Sequence, residues 1–228
     1  MATILVDLDG TLTPLDNWDP VFAEICMHIA RQGGTTPEEV WRRARRRSLE
    51  LMKSLDLRAF DWEEILAEAA AELGVDEVPD VVEALKRHIH AFRLNDGAVE
   101  VLSELKAAGH RVEIATNGLA GYQMPVIRHL GLDELVDGVR TSDRYGCPKT
   151  CPQYFQGADV MIGDNPVFDV YFPQKFGLYT IFYGDWEKEA ATHTQRMRID
   201  LSKTTPHAVV KTLKEIPQVV QYLLKLSS

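Results

Sequence analysis

The chain has 228 residues, enough for one large domain or one domain carrying an insert. Hydrophobic residues at 45% and charged residues at 26% are those of an ordinary soluble globular protein. A net charge of −9 argues against broad binding to nucleic acid or anionic membrane, and no apolar run approaches the roughly 20 residues of a membrane span.

The chain opens on an apolar, β-branched run, Thr3-Ile4-Leu5-Val6, followed by Asp7-Leu8-Asp9-Gly10. The run reads as a strand, and Gly10 as the turn that ends it. No basic segment precedes Asp7, so no signal peptide is expected. Two carboxylates at one strand end are costly together unless a cation or a proton sits between them. By itself D-x-D-G is equally an acidic turn.

From Pro14 to about Arg93 the pattern is helical. Asp19-Pro20 predicts a helix start, with Val21, Phe22, Ile25 and Ile29 on its apolar face. Thr36-Pro37-Glu38-Glu39 is a capping box opening the next helix. Asp61 caps a third, predicted to run to Leu73 with Gly74 as its stop. Val81, Val82, Leu85, Ile89 and Phe92 mark a fourth. Trp18, Trp41 and Trp62 read as core of this block. The basic run Arg42-Arg43-Ala44-Arg45-Arg46-Arg47 spreads around a helix and reads as a solvated face offset by Glu38, Glu39 and Glu50. The sharper alternative is that one or two of these arginines face a ligand and hold a second anionic group.

After Asn95 helix and strand alternate. A helix over 99–108 is followed by a strand over 110–115 that delivers Thr116-Asn117-Gly118. A helix to about Leu130, a short strand over 135–140, a strand over 158–162 ending at Gly163-Asp164-Asn165, and a strand over 178–182 follow. The tail, 206–226, reads as a helix bent at Pro217. This alternation implies an α/β fold with a doubly wound, Rossmann-like parallel sheet of five strands. Ligands of such sheets bind outside the carboxyl ends of the strands, so Asp7, Asp9, Thr116 and Asp164 are expected to meet there. Cys147 and Cys151 supply two of the four ligands that zinc needs, and with Cys26 they make no disulfide framework; a reducing cytoplasm is the expected setting.

Asp7 and Asp164 make an oxygen-rich site suited to Mg²⁺. Lys149 would balance their charge, and Thr116 stands at a helix start where anions bind. Carboxylates, Mg²⁺, a lysine and helix N-termini suit phosphoryl transfer.

The sequence resembles the haloacid dehalogenase (HAD) superfamily of phosphohydrolases. Asp7-Leu8-Asp9-Gly10-Thr11 is similar to its first motif, Thr116-Asn117-Gly118 to its second, Lys149 with Pro152 and Phe155 to its third, and Gly163-Asp164 with Asp169 to its fourth. The motifs stand in the family's order. The resemblance implies that Asp7 attacks phosphorus to give an aspartyl-phosphate, and that Asp9 protonates the leaving alcohol and later activates water. It implies Mg²⁺ held by the Asp7 and Asp164 side chains and the Asp9 carbonyl, with Asp169 supporting the metal's waters or orienting Lys149. Gly10, Thr116, Asn117 and Lys149 would meet the phosphoryl oxygens. The core domain would be 1–14 and 95–228, and 15–94 a helical cap domain. The implied substrate is a small soluble phosphate ester, with no nucleic-acid or membrane partner. A phosphomutase, or a non-catalytic phospho-ligand-binding protein on the same scaffold, carries the same motifs. Two departures stand out: Thr150 replaces the usual proline after Lys149, and the stretch from Lys149 to Asp164 is short, so a crossover helix should be truncated. Pro173 should also break the helix after Asp169.

Overall fold

The computed structural model describes residues 1–226; Ser227 and Ser228, the end of the expected core domain, lie outside the described residues. Its centre is a parallel sheet of β1 (Thr3–Val6), β2 (Arg111–Ala115), β3 (Gly138–Arg140), β4 (Val160–Gly163), β5 (Tyr179–Tyr183) and β6 (Ala208–Val210), in the order β3-β2-β1-β4-β5-β6. β1 is interior, pairing with β2 on one side and β4 on the other. A strand covered on both faces needs a continuous apolar run, which Ile4-Leu5-Val6 supplies. The strand order reverses between β1 and β4, so the crevice of a doubly wound sheet opens there.

Six strands replace the five expected. β6 falls inside the predicted tail helix: it is a three-residue edge strand, too short for periodicity to show, and its pairing with β5 decides it. The final helix begins only at Ile216, so Pro217 opens it instead of bending it.

Helices α1 (Asp19–Gly33), α2 (Pro37–Lys53), α3 (Trp62–Ala71) and α4 (Val81–His88) follow β1. Thr36, Asp61 and Asp80 cap three of them by accepting from the backbone N–H groups of Glu39, Glu64 and Glu83. Asp19 is itself the first residue of α1, after a short 3₁₀ turn, and caps nothing. α3 stops at Ala71, two residues short of the expected end. These helices share an apolar cluster built on Val21, Ile25, Ile29, Val40, Ile65 and Leu85, distinct from the cluster between β1, β2 and the helices beneath.

The remaining helices are α5 (Ala98–Ala107), α6 (Ala120–His129), α7 (Ser142–Tyr145), α8 (Pro152–Phe155), α9 (Phe172–Lys175), α10 (Trp186–Met197) and α11 (Ile216–Lys225). Pro173 stands in the first turn of α9, after a π-helical turn at Pro166–Tyr171. The residues after Asp169 therefore stay helical, with Pro173 at the change of register. The connection from β3 to β4 is short, as expected: α7 and α8 have four residues each. Side chains do what a longer helix would have done. Tyr154 is fully buried, with its hydroxyl 2.9 Å from the carbonyls of Thr116 and Arg140. Arg140 donates to the carbonyls of Tyr154 and Gln156 and to the Glu113 carboxylate at 2.6 Å. Burial pushes the Glu113 carboxyl up, but Arg140 and Arg111 outweigh it and hold it below the usual carboxylate range. Glu113→Ala strands the Arg140 charge in the interior and is expected to cost about 3–5 kcal/mol in urea unfolding at neutral pH. Because the folded carboxyl is depressed, the wild-type advantage is present above the usual carboxylate pKa and lost as pH falls through the folded value.

Cys26 is buried and free, and burial pushes its thiol up to about 11. Cys147 and Cys151 depart from the expectation of unpaired cysteines: their sulfurs are bonded across the loop that carries Lys149. Among the described residues no helix is long and apolar enough to cross a membrane.

Candidate active site

Three strand ends and the loop that carries Lys149 converge on one crevice. The Asp7 backbone N–H donates to the Ile162 carbonyl at 2.8 Å, seating Asp7 directly against the end of β4. The chain then turns sharply. Gly10 has φ +98°, and a Cβ there would fall 2.3 Å from an Asp164 carboxylate oxygen. The glycine of D-x-D-G is thus required twice, by backbone conformation and by the closeness of the second carboxylate. Thr11 donates its hydroxyl to Asp164 Oδ1 at 3.3 Å.

Lys149 is 2% exposed and lies between two carboxylates. Its Nζ donates to Asp7 Oδ1 and Asp169 Oδ1, both at 2.6 Å, and to the Ala115 carbonyl at 3.2 Å. All three ammonium protons are used, so the lysine is fixed. Burial works against its charge, but Asp169 and Asp7 more than offset this and raise its pKa. Asp169 accepts from Lys149 with one oxygen and from the Asn165 backbone N–H with the other. Burial pushes its carboxyl up, against the pull of Lys149. Gly163 is another close approach: a Cβ there would fall 2.2 Å from Asp169 Oδ2.

Oxygens of Asp7, Asp164 and Asp169 lie within 4.8 Å of one another. Three carboxylates against one ammonium leave a formal charge of −2 in a mostly buried space, which is the donor set and charge that a hard divalent cation takes. Burial and then the Asp7 charge raise the Asp164 carboxyl well above its usual value.

Asp9 is set apart from this cluster. Its carboxylate accepts from Trp18 Nε1 at 2.9 Å, from Gln123 Nε2 at 2.6 Å and from the Thr13 hydroxyl at 3.4 Å. Burial raises its pKa, and the Trp18 bond acts against that. Thr116 is buried at the end of β2, its hydroxyl accepting from the Gly118 N–H at 3.0 Å. Asn117 turns back to accept from the Lys149 N–H at 2.7 Å. The structure therefore brings together every residue singled out in the sequence: Asp7, Asp9, Gly10, Thr116, Asn117, Lys149, Asp164 and Asp169. Asn117 is committed to the lysine loop through its carbonyl oxygen, which leaves its amide N–H₂ for a ligand.

Sequence reasoning missed Gln123 and gave Trp18 to the core of the helical block alone. Gln123 sits among Tyr122, Val126 and Ile127 on the buried face of α6. A buried polar residue in an apolar helix stripe was the available signal. Gly118 makes room for it, since a Cβ there would fall 2.2 Å from Gln123 Nε2. The missed helix α10 brings His193, Arg196 and Met197 to the same cavity, of about 880 Å³, which also reaches Phe22, Trp41, Trp62 and Phe168.

The chain is similar to known proteins. Over 152 residues the chain is 28% identical to the GMP/IMP nucleotidase YrfG of Escherichia coli, covering 64% of this chain and 62% of the relative. It is 27% identical over 143 residues to the ribulose-1,5-bisphosphate 5-phosphatase of Halopiger xanaduensis, covering 58% and 59% respectively. The chain thus matches about three-fifths of the length of these curated relatives. A HAD phosphatase from Thermococcus onnurineus superposes with a TM-score of 0.75 at 21% identity, covering 96% of this chain and 98% of that one. The L-2-haloacid dehalogenase of Xanthobacter autotrophicus, with chloropropionic acid covalently bound, superposes at 0.62 with 18% identity, over 97% and 98%. At these identities the two structures share the fold. The sequence model of the haloacid dehalogenase-like hydrolases matches residues 1–158, and with the motifs in place at the crevice the chain belongs to that family.

Proposed function

We propose that the chain is a Mg²⁺-dependent phosphohydrolase cleaving a small phosphate monoester through an aspartyl-phosphate intermediate. The observation that carries this reading is the Asp7–Lys149–Asp169 chain beside Asp164. One oxygen of Asp7 is held by the lysine, and the other takes no hydrogen bond from a protein group among the described residues. That oxygen is free to attack phosphorus, opposite the leaving alcohol oxygen. Asp9, whose pKa burial raises, holds a proton for that oxygen and afterwards takes one from the water that attacks the intermediate. Trp18 and Gln123 aim it. The Thr116 hydroxyl and the Asn117 amide bind the phosphoryl oxygens, while the Gly10 N–H is given to the Thr13 carbonyl at 2.7 Å and Gly10 serves the site by lacking a side chain. Mg²⁺, when bound by the Asp7 and Asp164 side chains and the Asp9 carbonyl, would neutralise charge gathering on the transferring group. Asp169, with both oxygens accepting hydrogen bonds, orients Lys149 beside the Asp7 and Asp164 donors.

In the same reading, residues 15–94 form a cap over a core of 1–14 and 95–228. Asp9 is bonded directly to Trp18 in the first turn of that block, which couples the acid–base group to the cap's position. The substrates printed in the names of the two relatives, purine nucleotides and a sugar bisphosphate, support a small phosphorylated metabolite. The test is phosphate release from a panel of phosphate esters. Turnover is expected with Mg²⁺, lost on chelation with EDTA and restored by returning the metal. A folded, Mg²⁺-loaded preparation inactive on the whole panel overturns the proposal.

A further inference from the structure

Four of the five arginines in the basic run of α2 are spoken for. Arg42 and Arg43 pair with Glu39, Arg43 and Arg46 with Glu72, and Arg47 with Glu68. Arg45 is the exception: no carboxylate lies within ion-pair distance of it among the described residues. Its guanidinium instead stands over the Trp41 ring, 5.7 Å from the centroid, at the wall of the cavity that contains Asp7 and Lys149. Arg196 on α10 lines the same cavity, and it too has no carboxylate partner among the described residues. The carboxylate on α10 that faces this space, Glu189, is approached by Lys188 at 3.7 Å and His193 at 3.9 Å instead.

Two guanidiniums lining one cavity without an acid partner repel. Both residues are exposed, and partial desolvation and then the Arg196 charge lower the Arg45 pKa. On a surface where the neighbouring arginines all find glutamates, such a pair is held for an anion that comes from outside. Planar guanidiniums suit a phosphate or carboxylate, which they grip with parallel N–H bonds. The neighbouring indoles are a weaker recruiting surface: Trp41 stacks on Trp62 at 5.5 Å, and Phe22 covers both. A flat uncharged ring would have to part them.

We infer that Arg45 and Arg196 form a second anion subsite, so that the substrate is a phosphate monoester carrying a second anionic group, phosphate or carboxylate. The inference rests on the phosphohydrolase reading for the position of the first phosphoryl group. It also assigns the sharper of the two sequence readings to one arginine of the run.

The test has a kinetic and a binding arm. The kinetic arm measures kcat/KM for matched pairs, ribose 1,5-bisphosphate against ribose 5-phosphate, and 3-phosphoglycerate against glycerol 3-phosphate. The phosphate pair and the carboxylate pair tell the two sources of the second anion apart. Wild type is expected to favour the doubly anionic member of at least one pair by about tenfold or more, the scale of one charge-assisted hydrogen bond. R45Q and R196Q are each expected to lose most of that ratio, R45K to recover part of it, and R43Q, drawn from a paired position, to keep it. Using the ratio cancels any general loss of turnover. The binding arm titrates D7N in Mg²⁺ with ribose 1,5-bisphosphate by calorimetry, with and without R45Q. Affinity that falls with R45Q supports the subsite even if no ester is hydrolysed, in which case the hydrolase reading alone falls. A ratio near one in both pairs, GMP used as well as the bisphosphate, or a ratio and an affinity unmoved by R45Q and R196Q, overturns the subsite.

Discussion

Asp7→Asn is expected to reduce phosphate release by at least about 10⁴-fold while leaving a folded protein that still binds the ester. The amide keeps the volume of the carboxylate and an oxygen for Lys149 to donate to at the same place. It takes away the nucleophilic oxygen and one of the charges suited to a cation. The change also relieves Asp164, whose carboxyl is held up by burial and then by the charge of Asp7. Loss of turnover with retained ester binding, measured by phosphate release and calorimetry on one preparation, is therefore the expected pair of results. Turnover within tenfold of wild type would remove Asp7 from the role of nucleophile and point to direct attack by water.

Lys149→Met carries the second large effect, and it should reach stability as well as turnover. Lys149 is buried and donates to two carboxylates. Removing it leaves Asp7 and Asp169 in the interior without their cation, at a cost of about 3–5 kcal/mol. Methionine keeps most of the volume, so packing loss is small and the deficit reports charge. The deficit has a defined pH dependence. The Asp169 carboxyl is already raised to about 7 by burial, against the pull of Lys149. Without the lysine it rises further. A carboxyl raised in the folded state costs stability at pH values above its folded pKa, and the cost disappears as pH falls towards the unfolded value of about 4. Urea unfolding in EDTA should thus show the largest gap between variant and wild type near pH 8 and the smallest near pH 4.5. A gap that does not change with pH would mean that the loss is packing. Phosphate release should fall in the variant at every pH, because Asp7 is no longer held.

Much of the site was legible because its chemistry sits at strand ends, where short-range sequence and topology coincide. Asp7-Leu8-Asp9-Gly10 after an apolar run, Thr116 after β2 and Asp164 after β4 are each readable locally, and a parallel sheet forces them together. Lys149 was readable as a position but not as a geometry. Only the fold shows that it spans from Asp7 to Asp169 and uses all three of its protons. Gln123 showed in the sequence only as a polar residue within the apolar stripe of α6, and the fold alone shows that it reaches Asp9. Helix α10 and strand β6 were missed for a different reason. Two-thirds of α10 is charged or polar, and β6 has three residues, so neither carries a strong period; packing against α2 and the π-helical turn decides α10, and pairing with β5 decides β6.

The basic run on α2 shows the division most clearly. Its sequence fixed five cations on one helix and left their facing open, because a helix with arginines at consecutive positions points them in nearly all directions. Packing against α3 brings Glu68 and Glu72 within reach of three of them, and of the sequence-adjacent acids Glu38, Glu39 and Glu50 it is Glu39 that pairs, with Arg42 and Arg43. Arg45, turned towards the cavity, was left with Trp41 and no acid. What the sequence determined by itself was the α/β class, the order of the motifs and the polar residues placed at the strand ends, since these follow from periodicity and residue chemistry along the chain. Tertiary structure alone decided which carboxylate the lysine shares, which residues aim Asp9 and which arginine has no partner. Those depend on distances between residues more than a hundred apart, as for Lys149 with Asp7 and Gln123 with Asp9, and on the facing of single side chains, and neither is written in local spacing.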